Sequence, residues 1–218
     1  MIIAGKCPPE EEEIKQTIER GFDKVELYLE KHHLDQFQKT VRVLEESEVE
    51  VVSIHTPHVN LDDKGYIVLA DQLAQRMGAY LVFHSQYMHH THIPKLEELE
   101  IQSDYGYENN PGVSSTFLEK SILDRGHEMV LDTAHFYLGD HSPEDMGNFL
   151  TENMDNVSVI HLCDSSDTKD GLGFGQGVME MEKICQVIDQ SGFNGILVLE
   201  VMPEHQKDAF EKWEKYTS

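Results

Sequence analysis

Short runs of β-branched, aromatic and leucine residues recur along the chain, each bounded by turn formers: IIAG at 2–5, KVELYL at 24–29, VEVVSI at 49–54 and AYLVFH at 79–84. The series continues with DYGYE at 104–108, EMVLD at 128–132, VSVIHL at 157–162 and GILVLE at 195–200. Between these runs the apolar period changes to that of a helix. In EEEEIKQTIERG, Ile14 and Ile18 share a face and Gly21 stands where a C-terminal cap is expected. Segments 35–47, 64–78, 114–126, 142–153, 179–192 and 205–216 have the same spacing, with Ser142 before Pro143 marking a helix start. Segment 94–100 carries the least regular pattern. Strands alternating with helices predict a parallel sheet, and about eight repeats predict closure into a single (β/α)8 TIM barrel domain spanning 1–218. An open doubly wound sheet is the structural alternative, but no glycine-rich phosphate fingerprint follows the first strand.

Composition narrows the function classes. At 218 residues and 39% hydrophobic, the chain has the length and apolar content of one globular α/β domain. Its 41 acidic and 17 basic residues give a formal net charge of -24, which repels a phosphate backbone and argues against nucleic acid as a partner. Cys7, Cys163 and Cys185 are odd in number and lack a CxxC spacing, which suits reduced thiols better than a disulfide framework. The N-terminal apolar run MIIAG is too short for a signal sequence or a membrane span, so the expectation is a cytoplasmic protein with no membrane partner. The sequence gives no handle on oligomeric state.

In a barrel of this kind the reactive groups stand at the C-terminal ends of the strands. Six consecutive predicted strands end in a histidine or a carboxylate: His55, His84, Glu108, Asp132 with His135 three residues on, His161 and Glu200. One histidine at a strand end is more often a hydrogen-bonded structural residue than a ligand. Several costly polar groups converging on one apolar mouth need a common reason, and a divalent cation supplies one by satisfying carboxylates and neutral imidazole together. Glu108, where DYGYE meets the loop formers NNPG, is on this argument a metal ligand. The mixed nitrogen and oxygen set suits zinc, manganese, cobalt or iron better than calcium. Cys163 is expected to pack rather than to ligate.

On these motifs the chain resembles the xylose-isomerase-like TIM-barrel superfamily, which holds sugar and sugar-phosphate isomerases and epimerases together with the endonuclease IV class of abasic-site nucleases. The likeness runs through GFDKVEL, HTPHVNL, FHSQ, YENNPG, LDTAH, HLCDSS, GFGQG and FNGILVLE. In the isomerase and epimerase branch it implies one divalent metal (Zn, Mn or Co) held by Glu108, Asp132, His161 and Glu200. It also implies that His135 holds the substrate, and that Glu108 and Glu200 act as acid and base around a metal-stabilised enediolate. The endonuclease branch implies further ligands from His55, His84, His135 and Asp170 and a set of zinc ions. The loop DSSDTKDGLGFGQG supplies Asp170 but no following histidine, and Gln176 stands where many relatives have a glutamate. The favoured expectation is an isomerase or epimerase of a carbohydrate, sugar phosphate or related polyol, with His135, His55 and His84 contacting that small-molecule substrate. A zinc-dependent phosphodiesterase and a non-catalytic metal and small-molecule binding barrel are the alternatives.

Other features carry less. His89, His90 and His92 lie in the loop after the fourth strand, as a lid, an accessory metal site or solvated chain. His32 and His33 open the loop after the second strand, and His58 is a further candidate for substrate contact. His127, His141 and His205 have no evident partner. GLGFGQG reads as a mobile turn or, less simply, as a backbone nest for a phosphate.

Overall fold

The computed structural model describes residues 1–87, 92–139 and 142–218, so His89, His90 and His141 lie outside the described residues. Eight parallel strands follow one another in the order β1 to β8 and close into a barrel: β1 Ile2–Cys7, β2 Lys24–Tyr28, β3 Glu50–His55, β4 Tyr80–Phe83, β5 Tyr105–Glu108, β6 Glu128–Asp132, β7 Val157–Leu162 and β8 Ile196–Leu199. The helices are α1 Glu11–Glu19, α2 Lys31–Asp35, α3 Phe37–Glu45, α4 Lys64–Met77, α5 Ile93–Glu97, α6 Ser115–Ser121, α7 Thr133–Tyr137, α8 Pro143–Asn153, α9 Met181–Ser191 and α10 Gln206–Tyr216. The fold is thus the (β/α)8 barrel that the patterning predicts. Among the described residues no helix is long and apolar enough to cross a membrane.

Contacts cluster into two compact units, Ala4–Glu108 and Asn109–Ser218 with Met1–Ile3. In the first, Val25, Leu27, Ile54, Leu81, Val82 and Phe83 are wholly buried on β2 to β4. Neighbouring positions on both faces of one strand are buried, as a parallel sheet under helices requires. A polar exception sits among them: Lys6 on β1 pairs with Glu26 on β2 at 2.9 Å, and Ser53 on β3 donates to the other Glu26 oxygen at 2.8 Å. The register aligns Lys6 with Glu26 and Glu26 with Ser53, so these charges satisfy one another in one row.

In the second unit, Met129, Val130, Leu131, Val159, Ile160, Leu197, Val198 and Leu199 form the same two-faced core on β6 to β8. Helix α8 begins at Ser142, whose hydroxyl accepts from the Asp145 amide while the Asp145 carboxylate accepts from the Ser142 amide. Two predicted boundaries shift. Segment 35–47 carries α3 only from Phe37, because Gln36, with φ -106° and ψ 35°, separates it from α2. Segment 114–126 breaks at Ile122 into α6 and a 3-10 turn at Leu123–Arg125, which Gly126 closes at φ 78°.

Candidate metal centre

Within the unit Asn109–Ser218, three strand ends bring their side chains together. The register pairs Asp132 on β6 with His161 on β7, and His161 with Val198 on β8. Glu200 follows β8, its amide donating to Leu162 at 3.1 Å. His161 is wholly buried, and its Nδ1 lies 2.7 Å from Glu200 Oε2. Asp132, His161 and Glu200 each offer a ligand atom, all within 4.8 Å of one another. Asp132 also caps α7, its Oδ1 accepting from the His135 amide at 2.8 Å, which fixes the carboxylate on the strand end.

This donor set fits a divalent cation. Two carboxylates and an imidazole, mostly out of water and within contact of each other, concentrate negative charge that burial makes costly unless a cation compensates it. Cys163 registers that charge: burial first, and then Asp132 and Glu200, push its thiol well above the usual range. Cys163 is buried and its sulfur accepts from the Gly171 amide, the packed role expected of it.

His135 and Asp170 stand beside this group as a pair. His135 Nε2 is 3.0 Å from Asp170 Oδ2 and its Nδ1 is 2.8 Å from the Asn109 carbonyl oxygen. Both ring nitrogens face acceptors, so the ring is held between Asn109 and Asp170. The hydrogen bond from His135 holds the Asp170 carboxyl below its ordinary range.

Within the unit Ala4–Glu108, His55, His84 and Glu108 also present ligand atoms within 4.8 Å of one another. Glu108 ends β5 with 2% of its surface exposed, and its Oε2 accepts from the Ser85 amide at 2.8 Å. His55 Nδ1 donates to the Thr56 carbonyl oxygen at 3.2 Å, and its Nε2 lies 3.5 Å from Glu108 Oε1. His84 is the opposite tautomer. Its Nδ1 accepts from the Gln86 amide at 3.1 Å, and burial pushes the ring down to about 4, so the neutral imidazole carries its proton on Nε2. His58 packs against His84 with ring centroids 4.8 Å apart.

His32 and His33 share the Glu10 carboxylate, at 3.6 and 3.3 Å from Nε2. His33 Nδ1 accepts from the Glu30 amide, which leaves Nε2 as the donor to Glu10 and ties the ring into the start of α2. Among the remaining histidines, His92 Nδ1 lies 3.2 Å from the Gln86 carbonyl oxygen, and His205 packs on Gly173 and against Gln176 at 3.1 Å.

The loop GLGFGQG is a backbone nest, and the chain fills it itself. The Asp164 carboxylate accepts from the amides of Ser165, Gly175, Gly177 and Met179 at 2.8, 2.9, 2.9 and 3.1 Å. A Cβ at Gly177 would lie 2.2 Å from the Ser165 carbonyl oxygen, so only glycine fits. The amides that would cradle a phosphate are occupied by this carboxylate. The hydrophobic pattern gives no sign of the roles of Asp164, Asn109 or most of the Lys6, Glu26 and Ser53 row. The one available signal was charge inside strands, Lys6 in IIAGKC and Glu26 in KVELY, where alternation calls for apolar residues.

A family model described as xylose isomerase-like TIM barrel matches residues 115–216. That match covers the second half of the barrel, from α6 to α10. Solved structures of similar fold include a D-tagatose 3-epimerase-like protein (16% identity, 100% of this chain and 98% of that chain, TM-score 0.76). A xylose isomerase domain protein from Alicyclobacillus acidocaldarius subsp. acidocaldarius is similar too (15% identity, 100% and 98% coverage, TM-score 0.71). So is a D-allulose 3-epimerase from Methylomonas sp. in complex with D-allulose (13% identity, 99% and 97% coverage, TM-score 0.70). No curated protein sequence matches the chain. At these identities the likeness of this barrel to solved structures is one of fold, and its chemistry has to be argued from its own side chains.

Proposed function

We propose that residues 1–218 work as one barrel domain that isomerises or epimerises a carbohydrate, sugar phosphate or related polyol with the help of one divalent metal ion. The observation that carries this is the convergence of Asp132, His161 and Glu200 from three successive strands. Glu108, buried at the end of β5 and one peptide bond from Asn109, is assigned as the fourth ligand. Zinc, manganese and cobalt all accept such a set. When bound, such an ion would polarise the sugar carbonyl and so acidify the hydrogen on the adjacent, hydroxyl-bearing carbon.

The protein's own groups do the rest. Glu200 and Glu108 are the carboxylates assigned to take the proton from one face of the carbon and return it, on the other face for an epimerase. His135 is assigned to hold a substrate oxygen, exchanging Asp170 for it, and His84 Nε2–H is a neutral donor suited to a sugar hydroxyl or carbonyl oxygen. His55 orients Glu108. The D-allulose bound to the Methylomonas epimerase is the kind of substrate this arrangement suits.

Hydrolysis of a phosphodiester would need His55 and His84 as lone-pair donors to further zinc ions. His84 offers a proton there, and a net charge of -24 opposes a nucleic-acid backbone. The test is carbon-bound hydrogen exchange in deuterium oxide, followed by proton NMR over a panel of ketoses with manganese or cobalt supplied. Wild-type protein should exchange one hydrogen, and Glu108→Gln and Glu200→Gln should each lose about 100-fold or more. Full activity in both variants sinks the acid and base assignment. A metal-loaded protein that exchanges nothing points to a binding barrel, and nicking of an abasic duplex points to the hydrolase.

A further inference from the structure

Directly after Glu108 the chain reads NNPG, and the first of these asparagines makes contacts unlike those of a loop residue. Asn109 is wholly buried. Its backbone amide donates to the Val130 carbonyl oxygen of β6 at 3.3 Å. Its side chain makes the next pair of bonds to β6: the Asp132 amide donates to Asn109 Oδ1 at 2.6 Å, and Asn109 Nδ2 donates to the Asp132 carbonyl oxygen at 3.0 Å. A carboxamide has the donor and acceptor of a peptide group, so it pairs with the Asp132 backbone as a strand residue would. The same residue holds His135, whose Nδ1 donates to the Asn109 carbonyl oxygen, while the Gly112 amide donates to the His135 carbonyl oxygen at 3.3 Å.

We infer that Asn109 is a positioning residue that fixes Asp132 and His135 relative to each other, and so sets the metal-ligand geometry of Asp132. Side-chain chemistry makes the choice specific. Aspartate at 109 would accept from the Asp132 amide but could not donate to its carbonyl oxygen, glutamine would overshoot, and alanine would remove both of these hydrogen bonds to the Asp132 backbone. Asp132 also caps α7 through Oδ1, so a displaced Asp132 backbone turns the carboxylate with it. Asn109 touches neither metal nor substrate in this assignment and acts only through the two residues it holds.

The inference rests on the proposed metal centre, and the test separates the two. Apoprotein prepared with a chelator is titrated with cobalt(II), reading both affinity and the visible ligand-field spectrum, for wild type, Asp132→Asn, Asn109→Ala and Asn109→Ser. Thermal unfolding of each apoprotein confirms that it is folded. Both Asn109 variants should bind cobalt about 10- to 100-fold more weakly, with an altered spectrum. If wild type binds cobalt, Asp132→Asn does not, and both Asn109 variants match wild type in affinity and spectrum, the inference falls while the metal centre stands. A lowered melting temperature with wild-type affinity and spectrum overturns it too, because that is a purely structural role. If wild type itself binds no cobalt, the metal centre falls and the inference goes with it. Should the alanine variant fail to fold, the serine variant carries the same comparison.

Discussion

A buried carboxylate is costly to keep charged unless donors converge on it, and Asp164 shows how a short glycine-rich loop meets that demand. Two of its four donors are glycine amides, and the other two are the amides of Ser165 and Met179. Substituting Asp164→Asn preserves shape and removes the fit. Whichever way the amide is turned, its NH2 group faces two backbone N–H donors, Gly175 and Gly177 on one side or Ser165 and Met179 on the other. The expected loss is about 2 kcal/mol or more, since hydrogen bonds to a charged acceptor are each worth about 1.5–3 kcal/mol. A urea titration should show a lower midpoint with an unchanged slope, and a midpoint equal to wild type would mean that the loop is held by something else. This residue was not legible from sequence, because a nest and a mobile turn share the same glycines and differ only in what the amides point at. Asn109 was hidden for a similar reason: its role lies in a pairing with Asp132, 23 positions away.

At the level of elements, the chain announced itself through period and punctuation. All eight strands fall on the predicted runs, because most of their positions are buried on both faces and therefore apolar, with the Lys6, Glu26 and Ser53 row as an exception. Helix α8 was marked by SP at its start, and the structure shows why: Ser142 and Asp145 satisfy each other's amides. Ser142→Ala should therefore lower stability by about 1 kcal/mol, measured as a shift in the denaturation midpoint, whereas Ser142→Asp should hold it near wild type. An unchanged midpoint in the alanine variant would show that the cap does not matter. The short helices α2 and α7 were missed. Five residues do not complete enough turns to show a period, and α7 starts at the residue after β6, so that Asp132 is at once strand end and helix cap. The strand-end histidines and acids were legible as a set, since closed-barrel topology alone says where such residues gather. Which nitrogen of His84 or His55 carries the proton was not, because that is decided by the Gln86 amide and the Thr56 carbonyl group.

Over the whole molecule the dominant electrostatic fact is an excess of acid, with 41 acidic side chains against 17 basic ones. Salt acts on this in two opposing ways. It weakens exposed ion pairs such as Lys31 with Asp63, Arg76 with Glu45 and Lys120 with Asp124, each worth at most about 1 kcal/mol. It also screens repulsion among the unpaired carboxylates, which persists over about 10 Å at moderate ionic strength and grows with the square of the net charge. With a formal charge of -24, screening of repulsion should win. The chelator-treated protein is expected to melt higher in about 0.5 M sodium chloride than in about 10 mM, by about 2–4 °C for each kcal/mol of repulsion relieved. Choline chloride at equal ionic strength separates screening from sodium binding: the same rise supports diffuse repulsion, and no rise assigns the effect to specific sites. A melting temperature that falls with salt would mean that the ion pairs outweigh the excess charge, and that the acidic surface is organised rather than merely dense.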